Sequence, residues 1–473
     1  MDRHPSLLNQ APSLLILGAI VLTLRAHDAG VPFAFSLVVG DLFLCGVLLL
    51  SEGRWDRRRV TFVAALLITS ATLSGYALWK IRRAEPLPER LDGNFTVTER
   101  RAWGDSEILR LKSRDGREWS LPVDDALIDA REGDRFALKA SVTPFHTSTA
   151  RSDFHPLRYW RSRGVYGELK VSSVRSLERK FSLHSFRQML RERLQRLPHA
   201  SRSLISAILL GDRPPELNLD FKRWGISHIL AVSGWHVGIA LIVGVFIFGP
   251  GRNGLLPCSA LVWAYCFLSG ASLSALRAAL VLQVMLLALR CGRSSTVANS
   301  VGVAGVLMVL WNPWVVYDIA WQLSVLCTVL VGALFTCVKE FSIFLTGPVL
   351  WAVTSPIVAP LMGEISLSAP FINVMATTIF PWILAVVLIG SIPTLLGFST
   401  TVFTLPGEML FYGWTALADQ WVEWFPWGLP SNFFPFWLSG GAVFFLTALG
   451  QHIPLWRCAL LALAGGILAA VFL

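Results

Sequence analysis

The chain has 473 residues, of which 54% are hydrophobic and only 15% charged, and its mean hydropathy is +0.56. Too few polar side chains remain to cover a water-soluble globule of that length, which excludes an ordinary soluble domain and implies a lipid-facing surface. The formal net charge is +10, but membrane proteins collect Lys and Arg in cytoplasmic loops for insertion reasons alone, so charge by itself does not define a nucleic-acid partner.

Residues 86–200 hold 22 Lys/Arg and 16 Asp/Glu, whereas residues 237–473 hold six of each. One soluble domain therefore sits among membrane helices, and the expected fold class is a polytopic α-helical membrane protein with an inserted small extracytoplasmic β-barrel. All seven cysteines lie in or beside apolar stretches, with no CxxC. That pattern argues against a disulfide framework or a zinc site, and no metal or cofactor is expected.

Three apolar segments open the chain (residues 1–82), roughly Pro12 to Arg25, Val31 to Leu50 and Val60 to Trp79, each near the ~20 residues that span hydrocarbon. The first reads as a membrane helix rather than a cleaved signal, because further apolar segments come directly after it. Four arginines between Ser51 and Arg59 mark that loop as cytoplasmic, so the third helix delivers the charged segment after it to the extracytoplasmic side. There, residues 86–178 carry strand-like stretches at Phe95 to Arg101, Glu107 to Ser113, Glu118 to Val123, Arg135 to Val142 and Tyr166 to Val174, separated by Gly, Asp and Asn turns. Five short strands suit a small barrel such as an OB-fold.

Residues 181–232 begin with Phe186, Met189, Leu190, Leu194 and Leu197 at helical spacing, with Arg187, Arg191, Arg193 and Arg196 between them. This predicts an amphipathic helix on the outer membrane surface, or a solvated linker helix packed on the barrel. Further apolar segments fill 233–404 and 435–473. Alternate crossings place Arg252, Arg290, Arg293 and Lys339 in cytoplasmic loops, in keeping with the positive-inside rule. Between them, residues 405–434 combine Trp414, Trp421, Trp424 and Trp427 with Glu408, Asp419 and Glu423, the composition of an interfacial or re-entrant element.

Ionisable groups inside membrane segments are costly and mark a cavity, a partner or a pathway. Asp212 and Arg213 lie in Leu209-Leu-Gly-Asp-Arg213; His228, Ser233 and His236 in His228-Ile-Leu-Ala-Val-Ser-Gly-Trp-His236; Arg277 in Ser274-Ala-Leu-Arg277; Asp318 and Gln322 in Asp318-Ile-Ala-Trp-Gln322; and Asn373 lies just after Pro370. The topology puts all of them near the extracytoplasmic ends of their helices, where they converge on one polar funnel. Arg277 must snorkel, pair with a carboxylate such as Asp318, or line water. Each residue taken alone reads equally well as a structural pair or a helix cap.

The Ser233–His236 spacing also admits an intramembrane serine hydrolase, although a Ser-Gly pair is more often a turn. A metal site is weaker, since His228 and His236 stand about two helical turns apart and no HExxH occurs. In the soluble domain, Trp119, Tyr159 and Trp160 beside Arg110, Lys112 and Arg114 would contact single-stranded nucleic acid if their rings faced outward; otherwise they are core.

The segments around Leu209-Leu-Gly-Asp-Arg213, Gly225-Ile-Ser-His-Ile-Leu-Ala-Val-Ser-Gly-Trp-His-Val237, Leu276-Arg277-Ala278 and Asn312-Pro-Trp-Val-Val-Tyr-Asp318 through Ser324 together resemble the ComEC competence-protein family. Trp235 and Trp321 depart from its usual leucine and phenylalanine. The resemblance implies a channel for incoming single-stranded DNA in the bacterial cytoplasmic membrane, not an enzyme, with the OB-like barrel outside. Many members add a metallo-β-lactamase-like domain, and this sequence is expected to be a form lacking it, with any nuclease that is required supplied by another protein. No GxxxxGK[ST] loop is present, so an external ATP-driven translocase and an extracytoplasmic DNA receptor are expected partners, beside membrane lipid. The alternative is a permease for a small anionic or lipid-linked substrate.

Overall fold

A computed structural model of the chain describes residues 11–50, 57–83, 86–103, 106–123, 127–146, 155–212, 214–251, 253–337, 342–362, 364–398 and 402–430. Arg213, Arg252, Lys339 and the helices expected over 435–473 lie outside the described residues.

Three helices come first: α1 (Pro12–Asp28), α2 (Phe33–Leu50) and α3 (Arg57–Arg82). Proline opens α1 where a missing N–H costs nothing. Leu17, Ile20 and Leu24 bury against Met308 and Val309 of a later helix, α11 (Val297–Trp311). Apolar composition on every side leaves these helices no polar face to solvate, as expected when lipid is the solvent. Four helical stretches among the described residues are long and apolar enough to cross a membrane: Val60–Arg82, Ser227–Phe248, Leu273–Arg290 and Ala369–Leu395.

The chain then builds a closed barrel in the order β1-β2-β3-β5-β4, from β1 (Arg90–Trp103), β2 (Ser106–Ser113), β3 (Glu118–Pro122), β4 (Arg135–Thr143) and β5 (Val165–Leu177). The first half of β1 pairs with β4 and its second half with β2. A bulge at Thr98 divides the two and bends the strand enough to serve both neighbours. β3 and β5 close the ring in parallel. Alternate residues point inward, so Phe95, Val97, Leu109, Leu111, Trp119, Leu138 and Leu169 form the barrel core. Between β4 and β5 a short helix, α4 (Pro156–Ser162), carries Trp160 into a satellite cluster with Ile108 and Val165.

After the barrel come α5 (Leu183–Leu194), α6 (His199–Ile205), a π-turn (Ser206–Leu210) and α7 (Pro215–Arg223). Ser182 starts α5 by accepting from the Ser185 N–H at 3.1 Å. The periodicity predicts this helix, but its arginine face is not solvated: Arg187 is only 5% exposed and turns toward a buried carboxylate, Glu132. The apolar faces of α5–α7 pack on a helical hairpin, α14 (Ala369–Leu395) and α15 (Leu405–Trp424). Glu408 of α15 accepts from the Ser201 N–H at 2.6 Å, satisfying an orphan donor at the start of α6. Over the segment read as interfacial or re-entrant, the described residues form a 20-residue helix and then a short strand, Gly428–Pro430, paired with Glu364–Ser366.

The remaining helices are α8 (Gly234–Phe248), α9 (Leu255–Leu268), α10 (Leu273–Arg290), α11, α12 (Ile319–Cys337) and α13 (Ser342–Met362). A single-turn 3-10 segment, Pro313–Tyr317, links α11 to α12.

Candidate functional site: a cation-lined cavity under the barrel

Two seams dock the barrel onto helix ends. In the first, Asn312 donates from Nδ2 to the carbonyls of Arg161 and Ser162 at 2.8 and 3.1 Å, while its Oδ1 accepts from the Trp314 N–H and starts the 3-10 turn. Asp318 also serves twice. Its Oδ1 caps α12 by accepting from the Trp321 N–H at 3.0 Å, and its Oδ2 pairs with Arg163 at 2.8 Å. Arg158 bonds Asp28 at the end of α1.

The second seam is centred on Glu132, in the turn before β4, whose side chain is 1% exposed. It takes Arg187 as a direct ion pair, Arg191 at 3.0 Å and His184 at 3.1 Å. Arg187 also donates to the Leu210 carbonyl at 2.7 Å, and Arg191 grips Asp212 with two bonds of 2.9 and 2.7 Å. One buried carboxylate therefore joins the barrel to the Leu-Leu-Gly-Asp segment through two arginines of α5. Gly133 and Gly211 make the fit sterically feasible. Both have positive φ, and a Cβ on Gly133 would lie 2.7 Å from the Ser185 nitrogen, whereas one on Gly211 would overlap the Ser269 carbonyl. Burial works against the charge of Arg191, but Asp212 and Glu132 outweigh it and hold its guanidinium above the ordinary range.

Between the seams lies a cavity of about 3660 Å³. Thirteen Lys/Arg and seven Asp/Glu line it, an excess of six positive charges among the described residues. Several of the cations are held by neutral groups instead of carboxylates. Lys80 donates to the carbonyls of Leu310 and Trp311 at 2.9 and 2.5 Å, Arg101 to the Tyr159 hydroxyl at 3.2 Å, and Arg161 lies over the Tyr166 ring. Arg110 differs, being bound between Glu99 and Glu118. Burial would raise the Glu99 carboxyl, but Arg110 and Arg101 hold it below its usual range.

The predicted polar set divides. Asp212, His228, Ser233, Arg277 and Asp318 line the cavity, although they come from separate segments of chain. His236, Gln322 and Asn373 do not. His236 is 4% exposed and directs Nδ1 back to the Ser233 N–H at 3.3 Å, with the Ser233 Oγ at 3.2 Å, so the Ser-x-x-His spacing forms the cap of α8. Gln322 donates to the Val316 carbonyl at 2.6 Å, and the Asn373 Oδ1 is buried without a partner among the described residues. Of the alternatives for Arg277, the pair with Asp318 does not form and the residue lines the cavity. Asp318 is taken by Arg163, and Arg277, 4% exposed, donates from Nε to the Ser324 hydroxyl at 2.8 Å.

On the barrel, Trp119 is fully buried and Trp160 is 7% exposed, so both are packing residues rather than base-stacking platforms. Tyr159 is held between Trp103, Trp160 and the Arg163 guanidinium. Lys112 and Arg114 are exposed and join Arg135 and Lys180 around a smaller basic groove of about 550 Å³. Sequence reasoning gave no site role to three residues of the seams, Glu132, Asn312 and Arg163, although Asn312 opens one of the family segments. A lone Asn before Pro carries a turn signal, but a Glu in a loop carries none.

Fold and site together define a helical membrane protein whose β-barrel roofs a positively charged cavity. Residues 208–456, more than half of the chain, match the family model described as Competence protein, and the chain belongs to that competence-protein family, the ComEC family whose motifs surround the cavity. It is 31% identical over 137 residues to ComE operon protein 3 of Bacillus subtilis (strain 168), a match covering 27% of this chain and 17% of that protein. The chain thus aligns with only about a sixth of that relative. No solved structure matches the chain.

Proposed function

We propose that this protein is the membrane passage for single-stranded DNA in natural transformation, multi-pass in the bacterial cytoplasmic membrane, with its barrel an OB-like domain on the extracytoplasmic side. The observation that carries this reading is the cavity's excess of cations at the helix ends under the barrel. A phosphate chain approaching a low-dielectric layer needs charge and water at the mouth. The strand order 1-2-3-5-4 with a parallel closing pair supports the OB-like reading.

The chain acts as a conduit rather than a catalyst. A serine hydrolase would need a His poised as base, and the His236 Nδ1 is engaged in a helix cap while its Nε2 is buried with no partner among the described residues. Motive force comes from an ATP-driven translocase on the cytoplasmic side, DNA capture from an extracytoplasmic receptor, and strand degradation from a separate nuclease. The test is uptake of labelled DNA by cells carrying wild type, a deletion, or Arg277→Ala, with surface binding scored separately. Internalisation should fail in the deletion and fall in the point variant while binding persists. Uptake unaffected by deletion would exclude DNA and leave a permease for small anionic or lipid-linked substrates.

A further inference from the structure

Past the mouth, the cavity wall becomes apolar along α10 and α12, and Arg277 stands at the change. Its position is unusual for a buried arginine. The residue is almost wholly sequestered, yet among the described residues it has no carboxylate partner, and only Nε is hydrogen-bonded, to Ser324. The terminal nitrogens, which give a guanidinium its paired-donor fork, are left facing the cavity. Nη2 lies 3.8 Å from where a Cβ on Gly234 would sit, against the first turn of α8. Gly234 and Trp235 line the same wall, and no described group accepts from their N–H groups, the orphan donors of a 15-residue helix. A desolvated cation and a helix N-terminus thus converge on one point with no anion supplied by the described residues. Leaving a buried charge uncompensated is costly unless a ligand completes it.

We infer that Arg277 and the N-terminus of α8 form a site for a single phosphate group, a charged station where the wall turns apolar. The inference rests on the reading of this cavity as a DNA passage and adds to it a ligand class: one phosphodiester, held by the guanidinium fork and backbone N–H groups, with no reading of the base. Such a site takes each phosphate in turn. A single charge-assisted contact holds a strand in register without trapping it. Ser324 acts as a positioning residue, fixing Nε so that the free edge points into the cavity.

The test uses the full chain in nanodiscs and two fluorescent probes of equal phosphate number, an oligothymidylate and its abasic deoxyribose-phosphate counterpart, titrated over a range of salt concentrations. Wild type should bind both with similar affinity. Arg277→Gln should weaken both by about tenfold to a hundredfold, the effect of one charge-assisted contact, and should lower the slope of log K against log salt by about 0.7, one single-strand phosphate. Arg277→Lys keeps the charge without the fork and should restore the slope and part of the affinity. An unchanged slope in a folded Arg277→Gln protein, or full binding of the oligothymidylate with none of the abasic probe, overturns the phosphate site while leaving a DNA passage standing. If wild type binds neither polymer but inorganic phosphate still binds in an Arg277-dependent way, the passage fails and the phosphate site stands; if nothing binds, both fail.

Discussion

The two parts of the cavity wall differ in kind. Near the barrel the lining is crowded with charge from four directions: the end of α3, the barrel strands, α5, and the starts of α10 and α12. Deeper, Leu280, Val281, Leu282, Leu307, Val329 and Val331 replace them. Cations collect a polyanion by releasing its counterions, but the same cations along the whole route would hold it fast. An apolar wall offers a moving strand nothing to grip. On the proposed reading as a DNA passage, the contrast separates capture from conduction within one continuous space, with Arg277 at the boundary.

The charged part depends on the seams that hold the roof in place, and the largest effect is expected there. Glu132→Ala strands Arg187 beside a buried void and removes a partner of Arg191; breaking such a buried network costs about 3–5 kcal/mol. Thermal unfolding of the purified full chain should show it, and a barrel still resistant to protease in the variant would mean that the Glu132 seam does not hold the roof. Asp318→Asn keeps a hydrogen-bonding cap for α12 but leaves Arg163 without its countercharge, for about 1–3 kcal/mol. Limited proteolysis between β4 and α4 should speed up, while an Asn312→Ala change in the same seam should add to it only partly because the two share one interface.

The apolar part can be tested by making it resemble the mouth with the wrong sign. Leu282→Glu puts a carboxylate beside the route. At about 10 Å and an effective dielectric near 20 it opposes each passing phosphate by roughly 1–2 kcal/mol, so internalisation should drop by about tenfold while surface binding is unchanged. Equal loss in Leu282→Gln would point to shape rather than charge.

The mildest effect concerns pH. Glu99 titrates lower in the folded barrel than in the unfolded chain because Arg110 and Arg101 oppose its burial. Its contribution is therefore present above the ordinary glutamate range and is lost as pH falls through the depressed folded value. Melting of the full chain from pH 7 to pH 3 should show that loss on the acid side, and Glu99→Gln should flatten it.

How far these features are legible in sequence depends on the range of the interactions. The barrel strands alternate, and alternation is local. All five expected strands have counterparts, the first extended to Arg90 because its early half pairs with β4, about 40 residues further along the chain. Alternation does not say which way Trp119 points, since inward and outward differ by one residue of register. The arginines of α5 have helical spacing, but which face is buried depends on Glu132 and Asp212, which flank the helix in sequence and meet it only in space. The helix pattern sends Arg277 and Asp318 to the same end of the bundle, and both line the cavity. Asp318 takes Arg163 as its partner, a residue of the barrel domain that the helix pattern does not weigh. Helix ends and strand phase are readable from neighbours in the chain; a docked roof is not.

Photo-crosslinking to DNA in transit asks where the strand travels. A benzoylphenylalanine replaces one residue at a time in cells taking up radiolabelled DNA: Trp235 at the mouth, Leu282 in the apolar wall, and Phe246, which is 90% exposed further along the same helix as Trp235 and does not line the cavity. Label should appear on the protein at Trp235 and Leu282 and not at Phe246. Active uptake with label at Phe246, or with none at Leu282, would show that the strand does not pass through this cavity.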